Sequence, residues 1–197
     1  DSGTREKLKL FRCQFYATYG MTETVSHIAL QKLNGPSSSE FFQTLSGVEI
    51  KLDDRNCLII KAPYLKEVIH TNDIAEIISP KDFKWIGRYD NVINSGGVKV
   101  SPENIELAIE KIFQDAGVSR SFFIAGVSDQ RLGQKILLVI EGERLENTTI
   151  EKIISMFKHT LSVYEIPKEI VFKKEFVVTE TGKINRIKTI EFIENQL

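Results

Sequence analysis

The hydrophobic pattern of this chain changes period once, just after Arg88. Upstream, short apolar runs are separated by turn residues. QFYATY (14–19) ends at Gly20, and SHIALQKL (26–33) alternates enough to form a second strand. PSSSEFF (36–42) reads as a loop. VEIKLD and CLIIKAP flank a turn at Asp54-Arg55-Asn56, and IAEIIS (74–79) and FKWIGR (83–88) flank Pro80-Lys81-Asp82. Strands at this spacing predict a small β-barrel or sandwich.

Downstream the period becomes helical. SPENIELAIEKIF (101–113) places Ile105, Ala108, Ile109 and Ile112 on one face. Ser101 is the expected N-cap, Pro102 takes the first helical position, and Glu103 suits the positive end of the helix dipole. SFFIAGV (121–127) and KILLVIEG (135–142) read as buried strands. Residues 149–161 form a second amphipathic helix striped with Ile150, Ile153, Ile154, Phe157 and Leu161. EIVFKKEFVVT (169–179) reads as a strand or hairpin arm, and RIKTIEFIENQL (186–197) as a closing helix. The predicted class is α+β: a β-barrel-like subdomain over 1–88, then a mixed α/β domain over 89–197, joined by a hinge.

Composition narrows the function. Apolar residues make up 42% of the 197, enough for a packed core. Lys and Arg number 26 against 27 Asp and Glu, so the basic excess of a non-specific nucleic-acid binder is absent and no nucleic-acid partner is expected. A small anionic ligand remains open, since it needs only local positive groups. Cys13 and Cys57 match no C-x-x-C pattern, and His27, His70 and His159 lack metal-ligand spacing. No apolar run approaches the ~18 residues of a membrane span, and no stretch resembles a signal peptide, so a cytoplasmic location is expected. The oligomeric state stays open. The start, DSGTREKLKLF, lacks a Met and reads like the tail of a helix, as in a segment of a longer chain.

Four segments carry chemistry. In YGMTE (19–23) a strand ends at Gly20, so backbone can approach a ligand. Tyr19 offers a flat face to a base, Thr22 can bond a phosphate oxygen, and Glu23 can hold a Mg²⁺ that bridges phosphates. In HTND (70–73), just before a strand, Asp73 can accept from two ribose hydroxyls. GRYDNVINSGGVKVSPENIE (87–106) sets Arg88, Asp90, Gly96-Gly97 and Lys99 ahead of a capped helix. There Arg88 can bind phosphate or ribose, and the paired glycines let a narrow ligand pass. TETGKINR (179–186) adds Lys183 on a turn, with Thr181 and Asn185 keeping its tip solvated. Each alone has an ordinary explanation: a capped strand end, an Asx turn, an interdomain turn with a hairpin, an exposed lysine.

In that order, from residue 19 to residue 186, the four resemble the adenylate-forming superfamily of acyl-CoA synthetases, aryl-CoA ligases, luciferases and nonribosomal adenylation domains. FYATYGMTETVSHIALQKLNG and NVINSGGVKVSPENIE are most similar to its o-succinylbenzoate–CoA ligase branch, which serves menaquinone biosynthesis. The resemblance implies ATP, Mg²⁺ and CoA as cosubstrates and a small-molecule carboxylic acid as substrate. It implies that Tyr19 flanks adenine with Gly20 among the cofactor-binding residues, Thr22 meets the α-phosphate, Glu23 the Mg²⁺, Asp73 the ribose hydroxyls, and Arg88 ribose or phosphate. It makes Asp90 the hinge, puts Gly97 at the pantetheine tunnel and Lys99 among the cofactor-binding residues, and gives Lys183 the acid carboxylate and α-phosphate during adenylation.

Two departures stand out. The family's usual T-G-D is Thr71-Asn72-Asp73 here, and Asn tolerates left-handed geometry, so the turn is expected to survive. The Ser/Thr/Gly-rich phosphate loop that such enzymes carry upstream is not among these residues, so the stretch is expected to be a C-terminal portion, inactive in isolation. The alternatives are another aryl- or fatty-acyl-CoA ligase, an adenylation domain that loads a carrier protein, and a truncated interaction module.

Overall fold

The computed structural model describes residues 7, 8, 10–180 and 182–194. The chain divides into two compact units, Asp1–Asn91 and Val92–Leu197.

The first unit is a seven-stranded sheet. Its strands are β1 (Tyr16–Gly20), β2 (His27–Lys32), β3 (Phe42–Thr44), β4 (Glu49–Leu52), β5 (Cys57–Lys61), β6 (Ile69–Ser79) and β7 (Asp82–Arg88). They run in the order β1-β2-β3-β7-β6-β5-β4, with every pairing antiparallel. That path is open, so among the described residues the sheet does not close into the barrel suggested by strand spacing. One face buries Ile28, Leu58, Ile60 and Phe83 completely. Each such side chain contributes about 1.5–3 kcal/mol of burial. Tyr19, Phe42 and Phe83 pack ring to ring beside them, with centroids 5.1–5.8 Å apart.

Two sequence expectations change here. The 36–42 loop yields its last residue to β3, which pairs with both β2 and β7. HTND lies inside β6 and not before a strand. Residues 71, 73 and 75 do alternate inward, but Thr71 and Asp73 occupy inward positions. A search for alternating apolar residues passes over a strand whose buried side chains are polar.

The second unit opens with a hairpin, β8 (Ile93–Ser95) and β9 (Val98–Val100), followed by α1 (Pro102–Ala116). Then come β10 (Phe122–Asp129), β11 (Gly133–Glu141), α2 (Asn147–Thr160), β12 (Glu169–Lys173) and α3 (Arg186–Glu194). β10 and β11 form an antiparallel pair, and β12 returns parallel to β11 after α2, a β-α-β crossover. β8 joins β11 at Gly133.

Both faces of this sheet are covered, which is why β10 and β11 read as nearly continuous apolar runs. On one face Ile105, Ile109 and Ile112 of α1 and Ile153 and Phe157 of α2 pack on Ile124, Ile136, Leu138 and Ile140. On the other, Phe176 and Ile190 cover Phe123, Ala125, Leu137 and Val139. Only 169–173 of the predicted 169–179 arm is strand. The closing helix is described as far as Glu194, and residues 195–197 lie outside the described residues. Ser101 has the extended backbone of an N-cap, but its hydroxyl donates to Glu103 Oε2 at 3.0 Å and bonds no helix amide. Gly117, at φ +73°, closes α1 in the left-handed conformation that glycine adopts without strain.

Candidate functional site

In the first unit, the polar side chains gather on Asp73. The strand register sets Asp73 directly opposite Arg88 across β6 and β7. Asp73 is 6% exposed. Its Oδ2 accepts the Tyr19 hydroxyl at 2.6 Å, and its Oδ1 accepts Trp85 Nε1 at 3.3 Å and lies 3.8 Å from Arg88 Nη1. Its own amide donates to Thr71 Oγ1 at 3.1 Å. Burial first, then the Asp73 carboxylate, pushes the Tyr19 hydroxyl far above the ordinary tyrosine range, so it stays a donor.

Arg88 also reaches the next turn, donating from Nη2 to Asp90 Oδ2 at 2.7 Å. The other Asp90 oxygen accepts Asn72 Nδ2 at 3.0 Å. Asn72 Oδ1 accepts Arg55 Nη1 at 3.0 Å, and the Arg55 guanidinium lies 4.9 Å from the Tyr89 ring centre. Asn72 is therefore not the left-handed turn residue expected from the family pattern. Among the described non-glycine residues, only Val25 and Asn56 have positive φ. Asn72 lies in a strand and bonds Asp90, which no glycine could do.

Thr22 and Glu23 follow β1 on a 3₁₀ turn and are exposed. Thr24 beneath them is fully buried; its hydroxyl accepts from the Met21 amide at 3.0 Å and lies 2.8 Å from Ser26 O. Gly20 is needed by the chain itself: a Cβ there would lie 2.5 Å from Ser26 O and 2.6 Å from His27 Cα. Its close neighbour is thus the β1–β2 bulge. Among the described residues no three His, Cys, Asp or Glu side chains gather to hold a metal. A lone exposed carboxylate such as Glu23 nevertheless fits Mg²⁺, which is commonly bound through one carboxylate with phosphate oxygens and water.

In the second unit, Gly96 and Gly97 form the two-residue turn of the β8–β9 hairpin. Their φ values of +62° and +83° match a type I′ turn, which demands glycine-like residues at both places. Nothing lies within 4 Å of where a Gly97 Cβ would stand. Lys99 is exposed on β9. Lys183 is exposed on a turn closed by the Val178–Ile184 bridge, with Thr179 N donating to Lys183 O at 2.7 Å and Gly182 at φ +77°. Thr181, expected to keep this tip solvated, lies outside the described residues.

The root of that turn is firmly held. Asn185 Oδ1 accepts the Lys188 amide, and the buried Thr189 hydroxyl donates to Asn185 O at 2.8 Å and accepts from Val177 N at 3.2 Å. Arg186 grips Glu106 through both guanidinium nitrogens, Nη1 to Oε1 at 2.9 Å and Nη2 to Oε2 at 3.0 Å.

The structure thus brings Tyr19, Asp73, Arg88 and Asp90 into one network and leaves Thr22, Glu23, Lys99 and Lys183 exposed. Sequence reasoning missed Trp85, Arg55, Thr24 and the Glu106–Arg186 pair. For the last, the only signal was that both residues end a motif, SPENIE and TGKINR.

No protein-family profile matches the chain. The chain is 32% identical to mitochondrial medium-chain acyl-CoA ligase of Homo sapiens over 127 residues, 64% of this chain and 20% of that protein. An alignment with 2-succinylbenzoate–CoA ligase of Staphylococcus epidermidis runs over 93% of this chain and 42% of that protein, at 30% identity. Among solved structures, an AMP-forming acyl-CoA synthetase-like protein of Dyadobacter fermentans is 38% identical, with a TM-score of 0.54, covering 98% of this chain and 55% of that one. An o-succinylbenzoate–CoA synthetase of Bacillus subtilis, solved with ATP and magnesium ion, shares the fold at a TM-score of 0.74 and 16% identity, over 96% of this chain and 44% of that one. Sequence and fold together liken the chain to adenylate-forming ligases. Specifically, the chain is homologous to the C-terminal portion of AMP-forming acyl-CoA ligases, and it spans about half or less of the length of these relatives.

Proposed function

We propose that this chain is the C-terminal part of an acid–thiol ligase that activates a carboxylic acid with MgATP and passes the acyl group to CoA. The observation that carries the reading is the buried Asp73 carboxylate, already set by Tyr19, Trp85 and Arg88. A carboxylate so fixed is a pre-oriented acceptor for a vicinal ribose diol. Tyr19 borders the adenine beside the Gly20 bulge, Thr22 meets the α-phosphate, and Arg88 contacts ribose or phosphate. Glu23 would hold Mg²⁺, which neutralises charge on the phosphate oxygens.

In the first step a carboxylate oxygen of the acid attacks the α-phosphorus, the bond to the β-phosphate oxygen breaks, and pyrophosphate leaves. Displacement of this kind needs positioning and charge neutralisation more than covalent help. Lys183 supplies the charge: about 4 Å from a phosphate oxygen, one ammonium contributes about 4 kcal/mol at an effective dielectric near 20. In the second step the CoA sulfur attacks the acyl carbon, the acyl–phosphate oxygen bond breaks, and AMP leaves. Asp90 is the hinge between the two steps, and Gly97 and Lys99 face the incoming pantetheine arm.

The acid we favour is o-succinylbenzoate, on the strength of the staphylococcal alignment along nearly the whole chain. The human ligase supports a medium-chain fatty acid as the second reading. The test is a panel of acids given to the full-length protein, read by acid-dependent ATP–pyrophosphate exchange and by thioester formation. Strong preference for o-succinylbenzoate is expected. Preference for a medium-chain acid overturns the favoured substrate, and no exchange with any acid overturns the ligase itself.

A further inference from the structure

Beyond the groups that meet substrate, we infer that Glu106 and Arg186 are positioning residues: together they form the anchor that aims Lys183 for adenylation. The inference rests on the role proposed for Lys183 and adds what holds that residue in place.

Arg186 stands three positions after Lys183, at the start of α3. It reaches Glu106 of α1, 80 positions earlier in the chain, and meets it fork to fork. This geometry fixes direction as well as distance. Glu106 is itself held from a third element, because its Oε1 accepts the Ile124 amide of β10 at 2.8 Å. The guanidinium lies 5.6 Å from the centre of the Phe123 ring, which is fully buried. A single side chain is thus tied to α1, β10 and the sheet core.

The tip of the turn, by contrast, is held by local bonds between Thr179, Gly182 and Lys183. These bonds shape the turn itself. Orientation comes from the root, through Arg186 and through the Asn185–Thr189–Val177 bonds. A partly buried ion pair is weak evidence for stability, since desolvation opposes the attraction, but it selects one geometry. A catalytic cation displaced by about 1 Å can lose about 100-fold in rate.

The test uses the full-length enzyme and measures the two half-reactions separately: acyl-AMP formation, and conversion of supplied acyl-AMP to the thioester. Arg186→Met removes the fork. Glu106→Gln removes the charge and keeps an acceptor for the Ile124 amide. Each is expected to slow acyl-AMP formation about 10- to 100-fold in kcat. KM for ATP should change little, and the second half-reaction should stay within about twofold of wild type, as expected of an interaction realised only in one transition state. Arg186→Lys should recover part of the loss.

The decisive readout is the double variant. If Arg186 acts through Lys183, Arg186→Met adds little on a Lys183→Ala background. Independent, multiplicative losses overturn the anchor, as does unchanged adenylation in Arg186→Met. If Arg186→Met does not fold, Arg186→Lys carries the same cycle with the charge kept, and the same two outcomes overturn the anchor. If Lys183→Ala itself leaves adenylation intact, the role of Lys183 falls, and that result is distinct from failure of the anchor alone.

Discussion

Asp73 and Lys183 are the two charged side chains on which the proposed chemistry turns, and the fold treats them in opposite ways. Asp73 sits in the middle of a sheet, 6% exposed, with Tyr19, Trp85 and Arg88 converging on it. Lys183 stands exposed at a turn, and the firm contacts lie at its root. A group that holds the nucleotide throughout benefits from being fixed before the ligand arrives. A group needed for one step must reach the site and leave it, and an exposed turn on a firmly held root suits such a part.

That contrast predicts where mutations cost stability. Asp73→Ala leaves the Tyr19 hydroxyl and Trp85 indole without their acceptor and should destabilise the protein by about 1–3 kcal/mol. Thermal or urea unfolding measures this. ATP affinity should fall with it, since the proposed ribose acceptor is gone. An unfolding midpoint equal to wild type contradicts the buried network.

Asn72→Gly is the finer probe. It restores the family's usual residue and removes the bonds to Asp90 and Arg55. The expected loss is about 1 kcal/mol, the worth of a typical hydrogen bond. The ratio of the two half-reaction rates should also move, because the side chain tethers the proposed hinge. A variant with wild-type stability and an unchanged ratio removes Asn72 from the hinge.

The smallest effect concerns pH. Burial, opposed by Arg186 and the Ile124 amide and aided by Glu103, raises the Glu106 carboxyl above its ordinary value. The folded protein then keeps this proton to higher pH than the unfolded chain does. Its contribution to stability is full below the unfolded value and is lost as pH rises through the raised folded one. Glu106→Gln cannot ionise, so the stability of wild type relative to this variant should decline as pH climbs from about 4 towards neutrality. Denaturant titrations across that range read the difference. A wild-type stability that rises with pH relative to the variant contradicts the assignment.

How far sequence reached follows the same division. The helices α1 and α2 and the apolar strands β10 and β11 announce themselves by period, because their buried positions are apolar. The first half of β6 does not, because Thr71 and Asp73 fill its inward positions, and Asp73 is the centre of the proposed site. The individual motif residues were legible by their spacing. Their joining was not: Asp73 meets Tyr19 across 54 positions and Arg186 meets Glu106 across 80, and only strand register and helix packing bring them together. The open sheet was equally hidden, since strand spacing alone does not say whether the ends of a sheet meet.

The central claim is that Lys183 serves one half-reaction while the Asp73 network serves the nucleotide site as a whole. Lys183→Ala in the full-length enzyme tests it most directly, with acyl-AMP formation and thioester formation from supplied acyl-AMP measured side by side. We predict a loss of about 10²–10³ in the first step, the scale of removing one preorganised electrostatic contact. The second step should stay near wild type, and stability should change by no more than about 0.5 kcal/mol. Equal slowing of both steps, or melting of the second unit, contradicts the account and makes the turn an ordinary structural one.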